Sequence, residues 1–230
     1  MRWLIALAMP AFIILLAVRI VWNPWFIQWE YGKPGFPPDP YGFTNQQRID
    51  YALQWIDYYN GDASPEEGLQ QFTALRIPGT DQPLYATDEV SHMLDVRILT
   101  DALWRVLAGA SVIVVGGLLL LLLPRRTRRD GYAALFMGGL ISALLLAAAI
   151  VFVLLSWRTF FVTFHNIFFP PGTWTFGYES GLIRLFPDQF WFDAGLLLVG
   201  GSLIASIIVM LIGYLLGRRA RGQGELNARS

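Results

Sequence analysis

Four long apolar stretches dominate the pattern of hydrophobic and polar positions along the chain. They cover residues 3–22, 103–123, 131–155 and 194–216. An α-helix rises ~1.5 Å per residue, so each stretch is long enough to cross the ~30 Å hydrocarbon core of a bilayer. The first could be a signal peptide, but it lacks a small-x-small cleavage site. It is therefore predicted to remain as a helix, which Pro10 can kink.

The second, third and fourth apolar stretches each contain a pair of adjacent glycines. The pairs are Gly116-Gly117, Gly138-Gly139 and Gly200-Gly201. Small residues let helices approach closely in lipid, so each pair is a predicted helix-packing face.

The overall composition is typical of a polytopic membrane protein. The chain has 230 residues, of which 55% are hydrophobic, and its mean hydropathy is +0.46. The formal net charge is zero, which argues against nucleic acid as a partner. There is no cysteine, so disulfides, thiol catalysis and a cysteine metal site are excluded.

Arginine is concentrated in three polar segments, which lie before the first stretch, between the second and third, and after the fourth. These arginines are Arg2, Arg125, Arg126, Arg128, Arg129, Arg218, Arg219, Arg221 and Arg229. The positive-inside rule predicts that the three segments face the cytoplasm, together with both termini. The two remaining connections, residues 23–100 and 157–193, are expected on the outer side of the membrane.

The first outer connection is long enough to form a small folded cap. Residues 44–60 carry a helical stripe of apolar side chains, with a capping box at Thr44 and Gln47 and a stop at Gly61. Residues 69–86 are mixed and contain turn signals, which favours short β-strands. A helix starting at Thr87 or Asp88 should run into the second span. The predicted fold is an all-α polytopic membrane protein with four transmembrane helices and an extracytoplasmic cap containing a helix and short β-strands.

The chain has only two histidines, His92 and His165, and both fall in the outer connections. Glu89, His92 and Asp95 have helical spacing and share one face, where a carboxylate can orient an imidazole and raise its pKa. His165 lies in the aromatic segment 160–174, shortly after the third span. Each histidine alone could be an ordinary solvated residue. Their common side and their closeness to the bilayer favour a shared site.

Three segments resemble signatures of a known family. SHMLDVR contains His92, FHNIFFPPGTWTF contains His165, and LIRLFPDQFW precedes the last span. Together they are similar to the bacterial lipoprotein intramolecular transacylase (Lit) family. The resemblance implies an enzyme of the bacterial cytoplasmic membrane with catalytic residues His92 and His165. It would move an acyl chain from the diacylglyceryl group of a lipoprotein's N-terminal cysteine to that cysteine's own α-amino group, giving a lyso-form lipoprotein. It also implies a helical bundle with an outer cap containing some β structure.

The implied reaction suits these residues and requires no cofactor. Aminolysis of an ester needs a general base for the amine and a donor for the oxyanion or the leaving alkoxide. His92, flanked by the predicted supporting carboxylates Glu89 and Asp95, is expected to be the base, and His165 the donor. The active site is expected on the outer face.

A membrane-bound diacylated lipoprotein requires an apolar binding cleft that opens to membrane lipid. We expect its walls to be Phe164, Phe168, Trp174 and Phe186. Arg184 is expected beside it, either as a ligand for a lipid phosphate or as an interfacial anchor.

Two other functions fit the same residues. A metal-dependent membrane hydrolase could use His92, His165 and either Glu89 or Asp95, although this set has no spare ligand and the chain has no HExxH motif. A non-enzymatic membrane protein could instead bind a partner through its acidic cap.

Overall fold

The computed structural model describes the backbone of residues 1–227 and the side chains of residues 1–222. Arg229, one of the arginines predicted to face the cytoplasm, lies outside the described residues. The helices in chain order are α1 (Arg2–Val21), α2 (Pro24–Gly32), α3 (Asn45–Asn60), α4 (Pro65–Thr73), α5 (Thr87–Ser111), α6 (Gly117–Leu122), α7 (Arg128–Leu155), α8 (Trp157–Phe168), α9 (Gly181–Leu185) and α10 (Asp188–Asn227). A π-helical turn, Val112–Gly116, joins α5 to α6.

Four helical segments are long and apolar enough to cross a membrane. They are Arg2–Val21, Thr87–Leu122, Arg128–Leu155 and Asp188–Gly222. The fold is therefore nearly all helical with four candidate spans, as the hydrophobic pattern predicts.

The chain divides into two compact units. The bundle unit comprises Met1–Arg19, Leu103–Leu155 and the described chain from Gly195 onward, and the cap unit comprises Ile20–Ala102 and Ser156–Ala194. The buried core of the bundle unit consists of Ile5, Met9, Ile13, Val114, Leu121 and Ala134. These side chains come from three of the four candidate spans. The first three spans therefore pack against one another through apolar side chains that face the interior of the bundle unit.

The glycine pairs contribute unequally to this packing. A Cβ at Gly138 would lie 2.9 Å from the Met9 side chain, and one at Gly139 would lie 2.8 Å from the Ser206 carbonyl oxygen. Gly200 and Gly201 have nothing within 4 Å of the same position. The third span therefore uses its pair for close helix contact, whereas the pair in the fourth span faces open space.

The polar ends of three segments meet at one end of the bundle unit. Arg2 pairs with Asp130 at 3.1 Å, and Arg129 donates to the Ala220 carbonyl oxygen at 3.3 Å. The N-terminus, the loop between the second and third spans, and the start of the C-terminal tail are therefore neighbours within this unit.

The cap unit has an aromatic core fastened by hydrogen bonds from buried polar groups. Helix α3 begins with the predicted capping box between Thr44 and Gln47. From this helix Trp55 stacks on Phe72 with ring centroids 3.6 Å apart, and its indole N–H donates to the Tyr85 hydroxyl at 2.9 Å. Packed and hydrogen-bonded aromatic groups of this kind make a rigid framework for the neighbouring helices.

The prediction of short β-strands in residues 69–86 is wrong. Helix α4 occupies the first part of this segment, and the rest is a turn with one isolated bridge between Arg76 and Pro83. The backbone N–H groups of Leu75 and Gln82, which would extend the ladder on either side of the bridge, donate instead to the Phe72 carbonyl oxygen and to the Thr80 hydroxyl. No strand forms anywhere in residues 1–227.

Candidate active site

The entrance of α5 is fixed by Glu89, the first of the predicted supporting carboxylates. Its buried side chain accepts hydrogen bonds from the backbone N–H of Ala86 at 2.8 Å and of Leu182 at 2.7 Å. The first is half of a capping box, and the second ties α5 to the start of α9. Burial raises the pKa of the Glu89 carboxyl, although these two hydrogen bonds oppose the shift.

His92 follows one turn later and is only 6% exposed. Its ring lies edge-on to Phe169, with centroids 4.9 Å apart, and 5.6 Å from the ring of Phe176. Burial, helped by the nearby His165, lowers the pKa of His92 to about 4. The imidazole is therefore neutral at physiological pH.

His165 lies on helix α8, an element that the sequence pattern did not predict within the second outer connection. Its Nδ1 is 2.8 Å from the carbonyl oxygen of Phe161, one helical turn earlier. A carbonyl can only accept, so Nδ1 carries the proton in this contact and Nε2 keeps its lone pair. Burial lowers the pKa of His165 while the Phe161 hydrogen bond opposes the shift, so this ring is also neutral near pH 7.

The two imidazoles form a pair inside an aromatic enclosure. Their ring centroids are 6.2 Å apart and their planes meet at 33°. Around His165, the Phe161 ring lies at 4.1 Å and the Trp174 ring at 4.7 Å. A neutral imidazole has one ring nitrogen that can accept a proton and one that can donate, and general acid–base chemistry on an ester needs both capacities.

The carboxylates predicted to support His92 do not bind its Nδ1. In the described part of the chain this buried nitrogen has no hydrogen-bond partner. Glu89 is occupied by backbone amides, and Asp95 is half-buried one turn beyond His92. Helical spacing predicts that Glu89, His92 and Asp95 share one face of α5. It cannot show that Glu89 is bound by a backbone N–H of α9, which is far away in the sequence.

The predicted cleft residues divide into two groups. Trp174 and Phe164 lie against His165, at 4.7 Å and 5.5 Å between centroids, and Phe168 packs on Phe164 at 5.0 Å. Phe164 and Phe168 are each 43% exposed and so present apolar surface outward. Phe186 instead is buried and packs on Phe190, with ring centroids 5.1 Å apart.

Arg184 is an internal ion-pair partner within the cap unit. It is 6% exposed, its guanidinium donates to Asp39 at 2.9 Å, and it lies 3.5 Å over the Phe43 ring. Burial alone would raise the pKa of Asp39, but hydrogen bonds from Arg184 and from backbone amides lower it. The positive charge is thus matched inside the unit and is not presented to a lipid phosphate.

The sequence did not identify the rings that enclose His92. The sequence pattern included Phe169 only as a member of the aromatic segment 160–174, and it gave Phe176 no role of its own. Phe169 follows His165 by four residues, a spacing that brings two side chains to one face of a helix, so this signal was available. Phe176 follows a turn, and nothing local in the sequence indicates its direction.

The donor set for a metal ion is incomplete in the described residues. No group of three or more His, Asp and Glu side chains among them is placed to hold an ion. Glu89, one of the two carboxylates considered for that role, is bound to backbone amides.

Comparison with known proteins adds three findings. A family model described as lipoprotein intramolecular transacylase Lit matches residues 3–191. A protein of Aquifex aeolicus (strain VF5), described as uncharacterized, is 28% identical over 228 residues, which cover 97% of this chain and 100% of the relative.

The third finding is structural. An in meso structure of the membrane-integral lipoprotein intramolecular transacylase Lit from Bacillus cereus superimposes with a TM-score of 0.77 and 20% identity, covering 96% of this chain and 95% of that one. A second structure of the same protein, with a histidine-to-arginine substitution, gives a TM-score of 0.70 and 19% identity, covering 96% and 92%. At these identities the likeness is one of fold.

Proposed function

The chain belongs to the lipoprotein intramolecular transacylase (Lit) family, and from this membership we propose how its histidine pair transfers an acyl chain. The family is one of acyltransferases that act on lipoproteins, and four helices of this chain are able to cross a membrane. The proposed reaction moves an acyl chain from the diacylglyceryl group of the N-terminal cysteine to the α-amino group of the same cysteine. Amine and ester belong to one substrate, so the attack gains the advantage of proximity.

His165 is the proposed general base. Its Nδ1–H is directed to the Phe161 carbonyl oxygen, which leaves the Nε2 lone pair available. A lowered pKa keeps this nitrogen unprotonated near pH 7. This reverses the assignment made from the sequence, which rested on Glu89 and Asp95 flanking His92. Glu89 is engaged elsewhere, so that reason for preferring His92 as base is gone.

His92 is the proposed hydrogen-bond donor to the leaving oxygen. We place its single proton on Nε2, because the buried Nδ1 has no acceptor among the described residues. A neutral imidazole can stabilise developing negative charge on oxygen without itself becoming charged. With its pKa lowered to about 4, the ring keeps this neutral form throughout the working pH range.

The bond changes balance without any cofactor. The neutral amine nitrogen attacks the ester carbon, a C–N bond forms, and one N–H proton passes to Nε2 of His165. The tetrahedral intermediate then collapses, the C–O bond to glycerol breaks, and the glycerol oxygen takes that proton while His92 donates a hydrogen bond to it. His165 thereby returns to its neutral form, His92 stays neutral throughout, and the product is an N-acyl, S-monoacylglyceryl lipoprotein.

The observation that carries this proposal is the pair of neutral imidazoles 6.2 Å apart in an aromatic enclosure. Apolar walls suit an acylated substrate, and the outward surfaces of Phe164 and Phe168 suit contact with membrane lipid. We further propose that the termini face the cytoplasm and that the histidine pair works on the outer face. The meeting of Arg2, Asp130 and Ala220 at one end of the bundle unit supports a common side for the basic segments.

The test is activity of purified histidine variants on a synthetic diacylglyceryl-cysteine peptide. Members of one catalytic unit are strongly non-additive. His92→Ala and His165→Ala should each abolish nearly all lyso product detected by mass spectrometry, and the double variant should be scarcely worse. Thr163→Ala, at an exposed position of α8, is the matched control and should retain activity. Near-normal product from either histidine variant would refute the mechanism, and additive partial losses would mean that the two residues act separately.

A further inference from the structure

One buried donor beside the histidine pair has no partner. The indole Nε1 of Trp174 is inaccessible to solvent, and no group in the described chain accepts a hydrogen bond from it. An indole N–H can only donate. Leaving such a donor buried and unpaired costs free energy, and this is a reason to ask whether a substrate atom pairs with it.

The position of this indole is set by the turn that leads to it. Gly172 has φ +86, a conformation that favours glycine, and Thr173 donates from both its backbone N–H and its hydroxyl to the Pro170 carbonyl oxygen. The turn places the Trp174 ring 4.7 Å from the ring of His165 and 6.3 Å from that of Phe161. The unpaired N–H therefore belongs to a ring in direct contact with the proposed base.

The proposed reaction has a charge that the two histidines do not stabilise. As the amine attacks, negative charge develops on the carbonyl oxygen of the ester, while His165 receives a proton and His92 is directed to the glycerol oxygen. Arg184, an arginine of the same unit, is paired with Asp39. A fixed N–H is worth most where water is excluded, and the Nε1 atom of Trp174 is itself inaccessible to solvent.

We propose that Nε1–H of Trp174 donates a hydrogen bond to the carbonyl oxygen of the transferred acyl group and stabilises its oxyanion. This rests on the proposed function, because it assigns the third polar contact of the same reaction. The indole keeps its proton throughout, so no bond to it forms or breaks. The ring would have two roles, one as an apolar wall beside His165 and one as the oxyanion donor.

The experiment separates the N–H from the ring. Incorporating 3-benzothienylalanine at position 174 replaces the indole N–H by sulfur and keeps the bicyclic shape, whereas 5-fluorotryptophan keeps the N–H. The matched control is Trp22, also half-buried with an unpaired buried Nε1, but packed on Tyr59 at 5.2 Å. Each protein is assayed on the synthetic diacylglyceryl-cysteine peptide, and its thermal unfolding is measured to verify that the fold is intact.

We expect benzothienylalanine at position 174 to lower kcat by ~100- to 1000-fold, the typical effect of losing one oxyanion donor, with KM little changed. Fluorotryptophan at 174 and benzothienylalanine at 22 should each stay within about threefold of the unmodified enzyme, far below the loss typical of a missing oxyanion donor. Full activity with benzothienylalanine at 174 would overturn the proposal, as would a rise in KM at constant kcat. If His165→Ala also remained active, the proposed function itself would fail; retained activity at 174 with inactive histidine variants would refute only the donor.

Discussion

His92 couples the protonation state of the site to the stability of the fold. In the folded protein its pKa is lowered to about 4 by burial and by His165, whereas an unfolded histidine titrates near 6.5. Above pH 6.5 the His92 imidazole is neutral in both the folded and the unfolded protein, so its titration does not change the free energy of unfolding. As pH falls from 6.5 to about 4, only the unfolded state takes up the proton, so the folded state loses stability over that interval.

The first prediction concerns this interval. One pKa unit corresponds to ~1.4 kcal/mol, so the shift of His92 is worth about 3 kcal/mol between pH 6.5 and 4. His92→Phe removes the titrating group and keeps a ring of similar shape. Its thermal unfolding in detergent should therefore depend less on pH than that of the unmodified protein, and the gap between the two should change across this interval only. Parallel curves down to pH 4 would contradict the burial of His92.

Glu89 acts at the scale of whole elements, because it joins the start of α5, which carries His92, to the start of α9. Both of its backbone contacts are short, and the carboxyl is 3% exposed. If the buried carboxylate is lost, its two backbone N–H donors have no hydrogen-bond partner, which lowers the free energy of unfolding by ~1–3 kcal/mol.

The second prediction follows from this contact. Glu89→Gln replaces one acceptor oxygen by an NH₂ group that cannot accept, so the free energy of unfolding should fall by ~1–3 kcal/mol. Asp95→Asn, two turns into the same helix and half-buried, is the control and should change stability by less than ~0.5 kcal/mol. Chemical unfolding in detergent measures both. Equal effects of the two substitutions would show that Glu89 does not fasten α9 to α5.

Local sequence signals predicted the elements better than their contacts. The capping box at Thr44 and the start of α5 at Thr87 both follow from side-chain and backbone chemistry within a few residues. Helix α8 was missed because its dense aromatic residues indicate an interfacial loop as readily as a helix, and its end is marked only by Pro170. The contact of Glu89 with Leu182 joins residues far apart in the chain, and no local pattern indicates it.

At the scale of the whole molecule, the helices of the bundle unit approach most closely where glycine permits it. A Cβ at Gly139 would clash with the backbone of α10 at Met210 and Ser206. Gly213 on α10 faces the backbone of α7 at Tyr132 in the same way, and no glycine pair marked it in the sequence. Pairing of glycines alone therefore does not identify the contact, since Gly200 and Gly201 face open space.

The third prediction uses this contrast. Gly139→Ala forces two backbones apart and should destabilise the protein by ~1–3 kcal/mol. Gly200→Ala, within α10 and with nothing near its Cβ position, should be neutral or stabilising by up to ~1 kcal/mol through helix propensity. Thermal unfolding of both variants in the same detergent tests the opposite signs. A stable Gly139→Ala protein would mean that α7 and α10 are not in backbone contact.

The last prediction concerns how the chain crosses the membrane. The positive-inside rule and the neighbourhood of Arg2, Asp130 and Ala220 support a cytoplasmic end for the bundle unit. Four spans then require the connections that carry His92 and His165 to lie together on the opposite side. A lipoprotein modified at an N-terminal cysteine anchored in the outer leaflet would meet both histidines only in this arrangement. Alkaline phosphatase fused after Gly61 should therefore be active, and the same enzyme fused after Arg126 should not be, while green fluorescent protein should give the reverse. If both fusions reported one side, residues 103–123 would not cross the bilayer, and the proposed outer-face active site would fail.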